Sequence, residues 1–596
     1  MKNVRIKYCN PEGADMFTRS RPTAVSIRRC CALSTLAYVV LSTPSGWAGT
    51  VLYNGIELPD EWPPQQGELT REPMPVPYLE HPPAVAPIDV GRQLFVDDFL
   101  IEETTLGRTF HAAEYHAINP VLEPDKPWET AGKSNVAFPY SGGVWYDPQD
   151  RRFKMWYAVG NEGWITHWYG YATSKDGIHW EKPVLQDISG RREELDGSNV
   201  VLDIVHHDSS TFWLDHAAQD PGARFKYFAT EKRGGWHCVY RTSADGIHWS
   251  EPLASKPIWG DRTTVFYNPF REVWCLSQRI DGSQVGRARA YMEDPDPKKL
   301  IDKAFRNPGL SAEGDSVFWT NADDLDPRNP LGKYQDIKPE LYNLDAAPYE
   351  SLMLGSFSIW TGPENRTVSQ EGLQKRCDIL LGFSRDGFHW HRPNRERFIA
   401  ASWEDGSWNF GNVQSAGGGC LVVDDQLYFY VSARARDETG GHGKGSTGLA
   451  VLRRDGFASM DAAGKGGTLT TRPLTFKGKY LFVNIDCPEG ELKAEVLDRD
   501  GKVIEPFTMA NCKPLSCDKT LAAVTWQDGA ELSALSGKAV RFRFHLTNGS
   551  LYAFWVSPEP SGASHGYVAA GGPGFTGPTD TVGGNNQKLN GRRFEK

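Results

Sequence analysis

TSKDGIHWEKP (173–183), TSADGIHWSEP (242–252) and FSRDGFHWHRP (383–393) are three copies of one segment, and their spacing decides the fold. Their tryptophans, Trp180, Trp249 and Trp390, stand 69 and 141 residues apart, so the second gap conceals a further copy. It lies at Trp319, in the degenerate VFWTNADDLDP (317–327), and Asp455 in RRDGFASM (453–460) follows Asp386 by another 69 residues. Five units of about 70 residues mark a repeat architecture, and that size suits a four-stranded propeller blade with generous loops. In each copy the Asp can accept hydrogen bonds from turn amides, the Gly can take φ > 0, and the Trp is predicted to fill the wedge between blades. Asp176, Asp245 and Asp386 are therefore read as structural, together with His179, His248 and His389.

Strand-like runs fall between the markers: 154–160, 225–230, 273–279, 350–360 and 427–435. The first three follow Asp147-Pro148, Asp220-Pro221 and Asn268-Pro269, which are turn signals. The predicted fold class is all-β, a five-bladed β-propeller at 91–465 followed by a C-terminal β-sandwich at 466–557. Within the sandwich, VRFRFHL (540–546) alternates apolar and charged residues as a half-buried strand does, and Asn548-Gly549 reads as a hairpin turn. Residues 49–90 read as a Pro-rich lead-in, and 558–596, rich in Gly and Pro, as a flexible tail.

The bulk numbers agree. A chain of 596 residues with 39% hydrophobic and 23% charged residues can build two cores. A net charge of −10 argues against a nucleic-acid partner. Residues 1–48 read as an export signal: Arg19, Arg21, Arg28 and Arg29 precede the apolar run 30–41, with a cleavage site predicted near Ala48. That run is too short to span a membrane comfortably, so a secreted or periplasmic protein is expected, without membrane attachment once the signal is removed. The seven cysteines beyond it show no CxxC spacing, so neither a disulfide framework nor a zinc site is indicated. Cys512 and Cys517 could pair, isolated buried thiols being the preferred reading. No cofactor and no metal are expected.

The five-fold repeat, followed by RFRFHLTNGSLYAFWV (541–556), resembles glycoside hydrolase family 32 and its relatives over roughly residues 90–557. NGIELPDEWPP (54–64) and LFVDDFLIE (94–102) are similar to a group of bacterial proteins of that kind. The resemblance implies a propeller-borne glycosidase with a carbohydrate substrate. The family's Trp-Met-Asn-Asp-Pro-Asn, Arg-Asp-Pro and Glu-Cys-Pro motifs are absent, so it assigns no catalytic residue.

Two motifs mislead. Gly443–Gly448 is a literal GxGxxG but precedes a strand where a dinucleotide site needs a helix, and reads as a hairpin loop of blade five. Gly562–Gly566 matches GxSxG without the strand–turn–helix that a nucleophile elbow requires. The Asp-rich 323–326 could bind Ca²⁺, although solvated loop carboxylates are commoner. Trp164 and Trp168 are equally sugar platforms or packing.

Glycoside hydrolysis needs two carboxyl groups at one site, and a propeller gathers ligands where its inner strands converge. Glu350 is the predicted proton donor, because it opens an apolar strand after the turn-like DAAPY and should be desolvated there. Asp261 is its predicted carboxylate partner, kept ionised by Arg262, with Asp208 as reserve nucleophile or base. Arg262, Asp215, Glu129, Asn135 and Arg279 are the predicted substrate-binding residues. The function expected is an exported glycoside hydrolase acting on a plant or algal poly- or oligosaccharide. A propeller that binds glycan without cleaving it, or a glycoside phosphorylase using Arg262, Arg279, Arg434 and Arg436, are the alternatives.

Overall fold

The computed structural model describes residues 49–586 apart from 66–69, 131–134, 163–164, 259, 282, 305–315 and 437–441. The expected export signal and Trp164 lie outside the described residues. Among the described residues no helix is long and apolar enough to cross a membrane.

The repeat becomes five blades. Blade one has a broken inner strand, Ala137–Phe138 and Val144–Asp147, then Arg152–Glu162, Ile165–Ser174 and Trp180–Glu181. Blade two is Val200–Leu214, Phe225–Lys232, Trp236–Ser243 and Ala254–Pro257. Blade three is Thr264–Asn268, Val273–Asp281, Arg287–Asp294 and Val317–Asn321, so Trp319 stands in an outer strand as the period requires. Blade four is Glu340–Glu350, Leu352–Trp360 and Cys377–Ser384, edged by bridges at His391 and Ile399. Blade five sets Asn412–Gln414 and Leu421–Val423 against Gln426–Arg436 and His442–Arg453, and borrows its outer strand, Glu114–Tyr115, from ahead of blade one. The ring is therefore closed by chain from before its first blade.

The marker turns lock neighbouring blades. The Gly246 carbonyl accepts from Trp156 Nε1 at 2.7 Å, the Phe388 carbonyl from Trp319 Nε1 at 2.8 Å, and the Gly177 carbonyl from the Tyr430 hydroxyl at 2.5 Å. Each donor belongs to the preceding blade. A Cβ on Gly246 would meet the Trp156 ring at 2.5 Å, so Gly serves the close approach as well as its φ of +80°. Trp390 is buried against Trp319, and Trp249 and Trp180 pack on Trp156 and Tyr430.

Asp245 Oδ1 accepts from the amides of Ile247 and His248, both at 2.8 Å, and Oδ2 meets His248 Nδ1 at 2.7 Å. Burial alone would raise this carboxyl, but the His248 ring, the two amides and Ser243 outweigh it and lower it from 3.8 to about 2. A loss of about 1–3 kcal/mol would need these amides to be buried; with one part-buried and the other exposed, Asp245→Ala should cost about 0.5–1.5 kcal/mol, read as a lower Tm with turnover per folded molecule unchanged. Because the folded pKa lies below the unfolded one, the Asp245 contribution is full above about pH 4 and lost as pH falls towards 2. In acid, then, the Tm difference between wild type and variant should shrink.

Two further sheets share one apolar core, the arrangement of a β-sandwich. One holds Asp518–Val524, Tyr480–Asp486, Gly549–Ser557, Ala458–Ala462 and Gly107–Phe110; the other holds Ile101–Thr104, Gly467–Thr471, Arg541–Thr547 and Glu491–Leu497. Val483, Ile485 and Phe554 of the first meet Leu469, Phe542 and Phe544 of the second. The expected boundaries change accordingly. Residues 93–110 belong to these sheets rather than to the propeller, and the chain re-enters them at Ala458. Asn548-Gly549 is not a hairpin, since the strand before it lies in one sheet and the strand after it in the other.

Other expectations are corrected as well. Gly443–Gly448 runs within the strand His442–Arg453 rather than in a hairpin loop, and its glycines admit Phe138 and Trp408 closely. Asp323 and Asp326 are buried, neither solvated nor grouped with other metal-ligating side chains, and pair with Arg392 and Arg395. Cys512 and Cys517 are free thiols. The tail is ordered over 558–586. Tyr567–Val568 pairs with Tyr349 and Glu350, while the backbone of residues 569–571 bonds Tyr146, Pro348, Cys420 and Val422. These partners are the far ends of the inner strands of blades one, four and five, so the tail covers one end of the axis. Its glycines permit that approach: a Cβ on Gly566 would sit 2.1 Å from Glu350 Oε2.

Candidate functional site

At the opposite end of the axis the five inner strands begin, and there a cavity of about 280 Å³ opens. Each blade contributes to its wall: Tyr140 from blade one, Asp208 from blade two, Arg262 from blade three, Tyr342 from blade four and Gln414 from blade five. Bonds between neighbouring blades hold the ring beneath it. The Tyr140 amide donates to Ser432 Oγ at 2.8 Å, and Thr264 Oγ1 to the Leu344 carbonyl at 2.7 Å.

Two of the predicted carboxylates line this cavity. Asp208 sits where the register of Val200–Leu214 shifts between His207 and Ser210, a bulge of the kind that re-aims a side chain. Its Oδ1 accepts from the Ser209 amide at 2.7 Å and lies 2.8 Å from Arg262 Nε. Asp261 precedes the inner strand of blade three; it is bonded by Arg279 and lies 3.7 Å from Arg287 Nη1. Burial pushes the Asp261 carboxyl up, but Arg279, Arg287 and Arg262 outweigh it and hold it below the usual carboxylate range. Arg262 is 3% exposed, with its guanidinium 4.3 Å from the centre of the Tyr140 ring.

Tyr342 faces the same space. Lys375 Nζ donates to its hydroxyl at 3.1 Å, and the Arg287 and Arg262 guanidinium groups lie 4.7 and 5.1 Å from its ring. Burial alone would raise the phenol, yet Lys375, Arg262 and Arg287 lower it below 10.0. Because the hydroxyl oxygen accepts from Lys375, its own proton is free to be donated elsewhere. One layer down, Asn343 bonds Asp345, Ser141 and Ser415, joining blades four, one and five; burial raises the Asp345 carboxyl.

Glu350 is not at this site. DAAPY is the continuation of the inner strand Glu340–Glu350, not a turn, and Pro348 is tolerated because that strand is the edge of its blade. Glu350 therefore ends the strand whose start carries Tyr342, and eight residues at about 3.3 Å each separate the two by roughly 26 Å. It is 0% exposed and holds Arg92, Arg454 and Ser564 at the tail-covered end. Burial does push its carboxyl up, as expected, but Glu350 does not line the axis cavity. Ser564, from the GxSxG match, is its partner there.

Three predicted binding residues are also placed elsewhere. Asp215 follows the far end of its strand and bonds Lys226 at 2.6 Å. Glu129 is buried, accepting from Tyr157 and Lys182 at 2.6 and 2.7 Å and closing a short turn on the amides of Asp125 and Lys126. Asn135 gives its carbonyl to the Gly445 amide at 2.7 Å and does not line the cavity. Arg279 stands behind Asp261. Trp168 bonds Asp203 at 3.1 Å, away from the cavity. Tyr140, Arg287, Tyr342, Lys375 and Gln414 were not singled out in the sequence, yet for Tyr342 and Gln414 a signal existed. One wall residue follows each marker tryptophan: Asp208 after Trp180, Arg262 after Trp249, Tyr342 after Trp319 and Gln414 after Trp390.

No protein-family profile matches the chain. It is 31% identical over 114 residues to the uncharacterised protein Rv1502 of Mycobacterium tuberculosis, covering 18% of this chain and 32% of that one. Over 192 residues it is 23% identical to sucrose-6-phosphate hydrolase of Escherichia coli, covering 30% of this chain and 36% of that one. The chain thus spans about a third of the length of these curated relatives. Among solved structures it is similar to an N-acetylgalactosamine deacetylase from F. plautii in complex with blood group B trisaccharide. There the TM-score is 0.38 and the identity 14%, with 60% of this chain and 96% of that chain covered.

Proposed function

We propose that this protein is an exported glycoside hydrolase working on a plant or algal poly- or oligosaccharide at the axis cavity. The observation that carries the reading is the convergence of five blades on one cavity holding two arginine-paired carboxylates beside a phenol. Asp261, kept ionised by its arginines, is the nucleophile or base, and Asp208 is the second carboxylate. Asp261, held below the usual carboxylate range, does not suit the role of acid. The proton for the leaving oxygen comes instead from Tyr342, whose acidity Lys375 raises. Sugar binding through aromatic walls is served by Tyr140 and Trp236 at the cavity.

The alternative of phosphorolysis draws support from the cations of the same cavity, Arg262, Arg287, Lys375 and Arg434. One experiment separates the readings: purified protein is incubated with a polysaccharide panel, with and without inorganic phosphate, and released sugars are identified. Reducing sugar independent of phosphate supports hydrolysis, and sugar phosphate formed only with phosphate supports phosphorolysis. Binding with no product from any glycan would leave a lectin and sink the enzymatic reading.

Because Tyr342 must carry its proton to act as the acid, turnover should fall as pH rises through a pKa below 10. Tyr342→Phe should lose about 10²-fold or more in kcat. A pH–rate profile with no alkaline limb in the wild type would count against this assignment.

A further inference from the structure

In a chain of net charge −10, the axis cavity is cationic: among the described residues, Arg262, Arg287, Lys375 and Arg434 line it against Asp208 and Asp261 alone. The partners of Arg262 and Arg287 do not use all their donors. Among the described residues, Arg262 Nη1 and Arg287 Nη1 are buried and meet no hydrogen-bond acceptor. A buried guanidinium N–H without an acceptor is costly, more so than for a neutral donor. Both side chains also lie against one ring, that of Tyr342, which holds two like charges side by side at the wall.

The backbone is committed to this arrangement. Arg262 adopts a φ of +54°, a left-handed conformation that a long side chain seldom takes. The carbonyls of Arg262 and Tyr342 are both gripped by the buried Arg289, which fixes the two residues relative to each other. Local backbone strain held in place by its surroundings clusters at ligand clamps.

We infer that the cavity binds an oxyanion, with Arg262 and Arg287 as its principal donors and Lys375 and Arg434 supplying further positive charge. The inference rests on the axis cavity being the functional site and names what that site takes: an acidic sugar bearing a carboxylate or sulfate, or free phosphate entering as co-substrate. Guanidinium groups suit such oxygens because their N–H groups match the planar or tetrahedral oxyanion geometry. A neutral glycan would offer these donors only hydroxyl and ring oxygens, without the charge assistance of an oxyanion.

The test is calorimetric titration at fixed ionic strength with methyl glucuronide, methyl glucoside, inorganic sulfate and inorganic phosphate. Wild type and Arg287→Met are compared, and Lys375→Met serves as a second variant at a side chain outside the Arg262–Asp208 pair. At least one oxyanion probe should bind the wild type about tenfold or more tightly than methyl glucoside does, and lose about tenfold or more in Arg287→Met. Glucuronide or sulfate binding names an acidic glycan as the source; binding of phosphate alone names the co-substrate. No oxyanion probe binding more tightly than methyl glucoside, or oxyanion binding indifferent to both variants, overturns the inference. Cleavage of a neutral glycan in the absence of any oxyanion binding would sink this inference and spare the proposed function. Oxyanion binding without cleavage of any glycan would do the reverse.

Discussion

Glu350→Ala is expected to lower folding stability by about 3–5 kcal/mol, the cost of opening a buried ionic cluster. Its carboxylate accepts from the Arg92 amide at 3.1 Å, from Ser564 Oγ at 2.7 Å and from Arg454 Nη2 at 3.1 Å, with no solvent to replace it. Around it Arg92 pairs with Asp455 at 2.8 Å and Arg454 with Asp580 at 2.9 Å. Those residues come from the start of the sandwich, the last hairpin of the propeller and the tail, so the cluster ties three segments together. Glu350→Gln keeps one acceptor oxygen and should fold with a smaller drop in Tm. Denaturant unfolding of the two variants checks this, and an Ala variant as stable as wild type would contradict it.

The position of Glu350 illustrates what the sequence could and could not carry. The blade count was legible because an Asp-Gly turn with a Trp three residues on is a local pattern, repeated where each blade meets its neighbour. Asp208, Asp261 and Arg262 were legible because they stand a few residues ahead of the apolar runs 212–214 and 265–267. Glu350 also precedes such a run, but that run is the second strand of its blade, and Ala-Ala-Pro within the inner strand imitated a turn. The tail misled for a related reason. Glycines that let backbone pack onto Glu350 and Val422 have the same composition as glycines in a flexible linker. Lys375 and Arg287 reach the cavity from outside the inner strands, and nothing in the local sequence marks that convergence.

The second large effect is expected at Asp261. Asp261→Asn removes the negative charge that Arg279 and Arg287 hold in place but keeps the shape of the side chain. If Asp261 is the nucleophile or base, kcat should fall about 10²–10⁴-fold. The fold should tolerate the change, since the carboxylate lies at the cavity rather than in a sealed cluster. Asp208→Asn should weaken turnover too, through the loss of its pairing with Arg262.

In the proposed function the chemistry lies at the strand-start end of the axis and a structural cluster at the other end. The most direct test is kcat per folded molecule for Asp261→Asn and Glu350→Gln, side by side, on whichever glycan the wild type cleaves. The Asp261→Asn protein should be folded and nearly inactive, and the Glu350→Gln protein less stable and fully active. A fully active Asp261→Asn beside a folded, inactive Glu350→Gln would contradict this placement.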